Sequence, residues 1–290
     1  MNVAVIGAGR VGTALAELLT GASYPETYAI VAISGRQATI ERADRYLGMS
    51  PVSSEEAASM AELVLICTPD DVIASLCAEM AAAGCFREGQ WVAHVSGATG
   101  LEALAAASDS GAGILSLHPL QTFPSVEAAL ARIPGSGMAI TAHREEGFVL
   151  GERVARSIDA RPFRLADEAK PLYHAAAVFA SNYLVATTAL AEELFQEAGL
   201  DQPVELFMPL QRATLENIAN MGPALALTGP AVRGDVGTVA KNLEALAKHA
   251  PAAVLPYVVM ADVALDLAER SGRLSPEERA AVQEVLARWR

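Results

Sequence analysis

Along the chain the spacing of apolar residues changes character near residue 167. Before that point, short apolar runs alternate with stretches whose apolar positions recur every three or four residues. Val3–Ile6, Tyr28–Ile33, Leu63–Cys67, Trp91–Val95, Gly113–Leu117 and Met138–Thr141 predict strands, and Arg161–Leu165 predicts a last short one. Helices are expected from Arg10, Ala38, Asp70, Leu101 and Glu145. This alternation predicts a doubly wound parallel sheet with crossover helices. Beyond about Asp167 only the helical spacing remains. Lys170–Ala198 reads as one helix of about eight turns, with Gly199 as its C-cap. Pro203–Met221, Gly234–His249, Pro251–Ser271 and Pro276–Trp289 follow as further helices. Ser275-Pro276-Glu277-Glu278 is a helix start, with a capping serine, proline at the first position and acids in the first turn. The expected architecture is α/β: a doubly wound domain over residues 1–167, then an all-α domain over residues 168–290.

Composition narrows the function classes. Hydrophobic residues make up 52% of the 290 and charged ones 19%, which predicts packed cores and excludes disorder. The formal charge is −13 and no basic stripe appears, so nucleic acid is not an expected partner. The three cysteines, Cys67, Cys77 and Cys85, have neither metal-binding spacing nor an even count. No metal is expected, and a reducing cytoplasm fits. A core strand at Val3 leaves no room for a signal peptide. Pro171–Ala191 lacks Asp, Glu, Lys and Arg, but its His174, Ser181, Asn182, Thr187 and Thr188 make it a helix buried in protein rather than a membrane span.

The first candidate for chemistry is Gly7-Ala8-Gly9-Arg10-Val11-Gly12, which leaves the first strand and opens the first helix. Gly7 permits the tight turn, Gly9 lets a pyrophosphate reach the backbone, and Gly12 lets helix and strand pack closely. The free N–H groups of the helix start then bind phosphate. This is the Rossmann arrangement. At the end of the second strand, where an acid would bind the ribose hydroxyl of NAD, the chain has Ser34-Gly35-Arg36. A hydroxyl and a guanidinium suit a 2′-phosphate, so NADP is the expected cofactor.

Three more loops follow predicted strands. Thr68-Pro69-Asp70 should border the nicotinamide, with Asp70 able to cap the next helix. Ser96-Gly97 offers a hydroxyl and close backbone approach to a substrate, and His118 begins His118-Pro119-Leu120-Gln121. With the glycine loop and Ser34–Arg36, these should share the carboxyl edge of the sheet, where such sheets bind ligands. On the long helix, Lys170, His174, Ala177 and Ser181 form one stripe with Asn182 beside it. Such polar groups on an alanine-rich helix suit a cleft; the alternative for Lys170 is a solvated residue at a helix start. Arg233, in Thr228–Asp235, could hold a substrate carboxylate or pair with Asp235.

Val5–Gly12, His94–Gly97, Leu117–Phe123, Tyr173–Ala177, Ser181-Asn182-Tyr183, Leu227–Pro230 and Arg233–Asp235 make the chain similar to Rossmann-like proteins carrying a DUF2520 domain. Those proteins are related to the 6-phosphogluconate dehydrogenase C-terminal-like superfamily. The resemblance implies an NADP-dependent oxidoreductase with a helical dimerisation domain, some members resembling alternative ketopantoate reductases. Wider relatives, the β-hydroxyacid dehydrogenases, have a catalytic lysine with an asparagine four residues later. Here Lys170 is followed at that distance by His174. Prephenate dehydrogenases have a histidine near the start of this helix, as His174 is here. The expected activity is hydride transfer from NADPH to a small carbonyl acid such as 2-dehydropantoate. Lys170, His174 or His118 are the candidate catalytic groups, and Ser96, Gly97, Ser181, Asn182 and Arg233 would line the substrate. An imine or cyclohexadienyl-acid dehydrogenase, or a non-catalytic NADP sensor, are the alternatives. A homodimer is expected through apolar stretches such as Ala252–Met260.

Overall fold

The computed structural model describes residues 1–23 and 26–290, which form two compact units, Met1–Asn182 and Tyr183–Arg290. The first is a three-layer α/β domain. Its seven-stranded sheet consists of β1 (Asn2–Ile6), β2 (Ala29–Ser34), β3 (Leu63–Ile66), β4 (Trp91–His94), β5 (Gly113–Leu120), β6 (Gly137–Ala142) and β7 (Arg161–Arg164). Their order is β2-β1-β3-β4-β5-β6-β7. From β1 the chain moves outward to β2, then returns to place β3 on the other side of β1. That reversal opens a crevice beyond the carboxyl ends of β1 and β3, where doubly wound sheets bind ligands.

Strands β2, β1, β3, β4 and β5 pair in parallel, as do β6 and β7, but β6 runs antiparallel to β5. The sheet is therefore mixed, which corrects the all-parallel expectation. The apolar pattern specifies which residues are buried but not the direction of pairing. Pairing with β6 also carries β5 past Leu117, so that His118 lies opposite Ala139 on a strand and not on a loop. The edge strand β7 is short and reads Arg-Pro-Phe-Arg, a composition that discourages further pairing.

One face of the sheet packs on α1 (Arg10–Gly21), α6 (Val126–Arg132) and α7 (Glu145–Ser157), with Leu15, Leu19, Leu65, Leu115, Ile140 and Val154 in the core. The other face packs on α3 (Ser54–Met60), α4 (Asp70–Ala82) and α5 (Ala105–Asp109), around Ile6, Ile66, Ile73, Met80 and Leu104. Helix α2 (Gln37–Leu47) follows β2, and α8 (Lys170–Ala177) completes the unit. The short helices α3 and α6 were not evident in the hydrophobic pattern. Each has a serine cap, Ser53 accepting from the Glu56 N–H and Ser125 from the Ala128 N–H.

The predicted long helix forms with a change of winding. After α8 the chain makes a π-helical turn over Val178–Asn182 before α9 (Tyr183–Glu197). Within the second unit, α10 (Pro203–Ala226) breaks at Gly222, whose φ of 78° and ψ of 162° are not helical, and Pro223 follows it. Helices α11 (Val236–His249), α12 (Val254–Arg270) and α13 (Pro276–Ala287) enclose a core of Val239, Leu243, Val258, Leu265, Val282 and Leu286. Ser275 and Glu278 form the expected capping box, and Asp235 caps α11. Gly199 takes a φ of 86° just after α9, as a left-handed C-cap requires. The stretch Pro251–Arg270 is long and apolar enough to cross a membrane by length and composition.

Candidate functional site: a glycine-loop cleft and a histidine–lysine corner

The glycine loop leaves β1 at Ile6. Its three glycines are needed for different reasons. A Cβ on Gly7, which has a φ of 86°, would lie 2.9 Å from Thr68 Cγ2. On Gly12 it would lie 2.7 Å from the Gly7 carbonyl oxygen and 2.9 Å from Cys67 Cβ. Both glycines are therefore fixed by protein packing. A Cβ on Gly9 would meet nothing nearer than the Gly7 carbonyl oxygen at 3.9 Å. The room beside Gly9 belongs to a cleft of about 450 Å³ lined by Gly7, Gly9, Ser34, Gly35, Arg36, Ser54, Thr68 and Pro69. Thr68 Oγ1 is buried without a hydrogen-bond partner among the described residues. Open backbone at the start of α1 and an unpaired hydroxyl fit a dinucleotide lying across the crevice.

The β2 end of the cleft is braced by backbone. The Ser34 carbonyl accepts from the Gly7 and Ala8 N–H groups at 3.0 and 2.9 Å, which ties the glycine loop to β2. The Ser34 hydroxyl is 3.0 Å from that of Ser54, brought near by a bridge between Ser34 and Val52. Gly35 packs on Thr39, where a Cβ would come within 2.5 Å of Thr39 Oγ1. Arg36 is exposed and its guanidinium makes no hydrogen bond or ion pair among the described residues, so it can turn toward a phosphate. Arg10, the first residue of α1, lines a neighbouring cleft with Arg42 and Arg45, and Val11 packs on the core. Burial pushes the Cys67 thiol up to about 12, so it is a packing group and not a nucleophile.

The Thr68-Pro69-Asp70 segment leads from this cleft to a polar corner. Asp70 does not cap α4, because Pro69 holds the N-cap position and no side chain caps there. Instead the Asp70 carboxylate accepts a 2.6 Å hydrogen bond from the Ser96 hydroxyl. That hydroxyl in turn accepts from the Thr99 N–H at 2.9 Å and the Ala98 N–H at 3.2 Å, which shapes the turn after β4. The Ser96 N–H donates to His94 Nδ1 at 3.2 Å. His94 is fully buried, and burial first, then the Lys170 charge, brings its pKa down to about 4.

Lys170 is 1% exposed. Its ammonium donates to the Ser96 carbonyl oxygen at 2.9 Å and to Ser116 Oγ at 2.8 Å, bridging the ends of β4 and the middle of β5. The solvated-lysine alternative is thus excluded. Burial pulls its pKa down to about 8, opposed by Asp167, Asp70 and Glu102. Asp167 also accepts from the Leu101 N–H at 3.0 Å, fastening the approach to α8 onto the loop after β4.

His118 lies against Gly97. A Cβ on Gly97 would sit 2.7 Å from both Cε1 and Nε2 of the imidazole, so only glycine admits the ring there. His118 Nδ1 is 2.8 Å from the Tyr173 hydroxyl. Burial, then the charges of Lys170 and His174, bring the His118 pKa down to about 4, so the ring is neutral at pH 7. His174 is half-buried and within electrostatic reach of it.

The structure thus brings Ser96, Gly97, His118, Lys170 and His174 together. Ser181 and Asn182 lie on the π-helical turn that ends the first unit. Arg233 lies in the second unit, exposed on the turn before α11, with no ion pair to Asp235. Three members of the site escaped the sequence reading: Tyr173, Ser116 and Ser54. Tyr173 shares the helical spacing of Lys170 and could have been placed on that stripe. Ser116 lies inside an apolar strand and Ser54 in a helix the pattern did not reveal, so neither carried a signal.

Residues 1–119 match the model of the Rossmann-like domain, and residues 136–264 match that of the domain of unknown function DUF2520. No curated protein matches the sequence. Among solved structures, a candidate NADP oxidoreductase from Bacteroides fragilis is similar with a TM-score of 0.72 at 23% identity, over 91% of this chain and 98% of that one. A protein from Thermotoga maritima is similar with a TM-score of 0.71 at 26% identity, over 93% and 99%. A reductive aminase from Aspergillus terreus, solved with NADPH and ethyl-5-oxohexanoate, shares the fold with a TM-score of 0.59 at 15% identity, over 99% and 92%.

Proposed function

We propose that this protein, whose chain joins a Rossmann-like domain to a DUF2520 domain, is an NADP-dependent oxidoreductase that reduces a small carbonyl acid. The observation that carries this reading is a corner of His118, Lys170 and Ser96-Gly97 tied, by the hydrogen bond from Ser96 to Asp70, to the Thr68-Pro69 segment that lines the glycine-loop cleft. Gly7, Gly9 and the first N–H groups of α1 would hold the pyrophosphate. Ser34 and Arg36 would hold the 2′-phosphate, and Thr68 and Pro69 would border the nicotinamide. NADPH, when bound, supplies the hydride.

The protein's own residues then manage charge and protons. As a carbonyl carbon gains two electrons, negative charge grows on its oxygen. His118 Nε2 is free to hydrogen-bond that oxygen, and the Lys170 ammonium adds a nearby positive charge. Lys170, with its pKa near 8, releases a proton near neutral pH and is assigned as the acid, a role worth about 10²–10⁴ in rate. His174 stands one turn beyond Lys170 on α8, within electrostatic reach of His118. Ser181 and Asn182, on the π-helical turn that follows α8, are assigned to the substrate's polar groups.

Assembly follows from the second unit. Helix α9 buries no residue, and α10 buries only Pro203 and Phe207, although Phe195 and Phe207 stack at 5.4 Å. Val185 is 69% exposed, Leu206 62% and Leu210 66%. A helical hairpin this apolar needs a cover, and a second copy offers the same face for a two-fold contact. The working form is proposed to be a homodimer in the cytoplasm, where three free thiols persist.

The test is a panel of 2-keto acids, led by 2-dehydropantoate, scored for NADPH consumption. A second reading, imine reduction, is favoured by the fold shared with the reductive aminase, and adding an amine to each keto acid separates the two.

A further inference from the structure

His118 has two ring nitrogens, and only one carries the proton when the ring is neutral. Which one it is decides what the site can bind. A protonated Nε2 donates to a carbonyl oxygen, whereas a bare Nε2 accepts from a hydroxyl.

We propose that the Tyr173 hydroxyl donates to His118 Nδ1, locking the proton on Nε2, so that the ring offers a hydrogen-bond donor to the substrate's oxygen. This rests on the carbonyl-reductase reading and gives Tyr173 a part in it.

The contact between Nδ1 and the hydroxyl is 2.8 Å, a normal length for such a bond. Tyr173 is held on both sides. Its ring meets His118 edge-on at 5.5 Å and lies 6.1 Å from Phe163 of β7. Nδ1 is the hydroxyl's one hydrogen-bond partner among the described residues. If Nδ1 carried the proton instead, the hydroxyl would accept and its own hydrogen would lack a protein acceptor. A phenol oxygen is also a poor acceptor and an unprotonated imidazole nitrogen a strong one, so the bond is stronger with the hydroxyl donating. Burial also holds the Tyr173 phenol up to about 12, which keeps it a donor. Nε2 has no hydrogen bond within the described residues, and the ring packs against Gly97, where only a glycine leaves it room. The charged and titratable neighbours of His118 are Lys170, His174, Asp70 and His94. The Lys170 cation disfavours an imidazolium there, so the ring works as a neutral donor and keeps its proton.

Tyr173 is therefore a positioning residue acting through His118. The test is nitrogen NMR of the full-length protein labelled with ¹⁵N-histidine, in which protonated and bare ring nitrogens resonate far apart. His118→Asn identifies the His118 signals. The expected wild-type spectrum has a bare Nδ1 and a protonated Nε2 at His118. Tyr173→Phe should convert His118 to a mixture of tautomers while the His94 signals stay in place. A wild-type His118 protonated on Nδ1 overturns the proposal, and this spectrum decides even if Tyr173→Phe fails to fold. An unchanged tautomer in a folded Tyr173→Phe overturns it too. The spectrum needs no substrate, so a tautomer as proposed in a protein that consumes no NADPH would sink the carbonyl-reductase reading alone.

Discussion

Replacing Gly9 and Gly12 separately by alanine should divide stability from cofactor binding. A Cβ on Gly12 would lie 2.9 Å from Cys67 Cβ, 2.7 Å from the Gly7 carbonyl oxygen and 3.1 Å from Val5 Cγ1. Carbon atoms rest at about 3.5 Å or more, so the Cys67 contact alone is short by about 0.6 Å. Two of the three obstacles belong to backbone or a Cβ and cannot rotate away. Overpacking of this kind costs about 2–3 kcal/mol, near the upper end of its usual range. In a unit of this size that lowers Tm by about 4–12 °C. Gly9 differs. Its φ of −74° and ψ of −158° suit any residue, and its nearest obstacle is 3.9 Å away. Alanine is a poorer N-cap than glycine but costs the unfolded chain some freedom, and the two effects offset. Gly9→Ala should therefore keep Tm within about 3 °C. Its methyl group would occupy the room assigned to the pyrophosphate, and NADPH affinity should fall at least about tenfold, or about 1.4 kcal/mol. Thermal melts without ligand and calorimetric titration with NADPH read the two effects. If Gly9→Ala lost as much Tm as Gly12→Ala, or bound NADPH like the wild type, the assignment of the cleft would be refuted.

The other predictions concern recognition, acid chemistry and assembly. Arg36→Ala should remove most of the preference for NADPH over NADH, since a charge-assisted hydrogen bond contributes about 1.5–3 kcal/mol. Equal affinities in the unmodified protein would contradict the NADP assignment. With its pKa near 8, Lys170 loses its proton as the pH rises, so turnover should decline above about pH 8. Lys170→Met should lower turnover at least about tenfold and abolish that decline, with NADPH affinity nearly unchanged. An alkaline limb that survives in Lys170→Met would assign the proton elsewhere. Light scattering at micromolar concentration should find a dimer, and Leu206→Glu with Leu210→Glu should shift it toward monomer. A wild-type monomer would remove the dimer from the account.

Much of this was legible in the sequence because it depends on local rules. The glycine loop, the strand positions and the caps at Ser275 and Asp235 follow from spacing and residue type near one another in the chain. The order of the first three strands places Gly7, Ser34 and Thr68 around one crevice, as loops after parallel strands should. What was not legible depends on partners distant in sequence. His118 read as a loop residue because pairing with β6 extends its strand, and nothing near position 118 encodes that partner. Asp70 read as a helix cap because Ser96 lies 26 residues away. Lys170 read equally well as solvated, since only the tertiary fold seals it between Ser96 and Ser116. The π-helical turn at Val178–Asn182 falls in a run of alanine and small polar residues with no break in pattern.

In the proposed reaction NADPH gives its hydride to a carbonyl polarised by His118, in the corner beside the glycine-loop cleft. The most direct measurement is the rate of NADPH consumption by the wild type and by His118→Ala across the panel of 2-keto acids. The account predicts turnover by the wild type with at least one member. It predicts at least about a tenfold loss in His118→Ala with that compound, while both proteins bind NADPH with similar affinity. A wild type that binds NADPH but consumes none across the panel, or a His118→Ala variant with undiminished turnover, would contradict it.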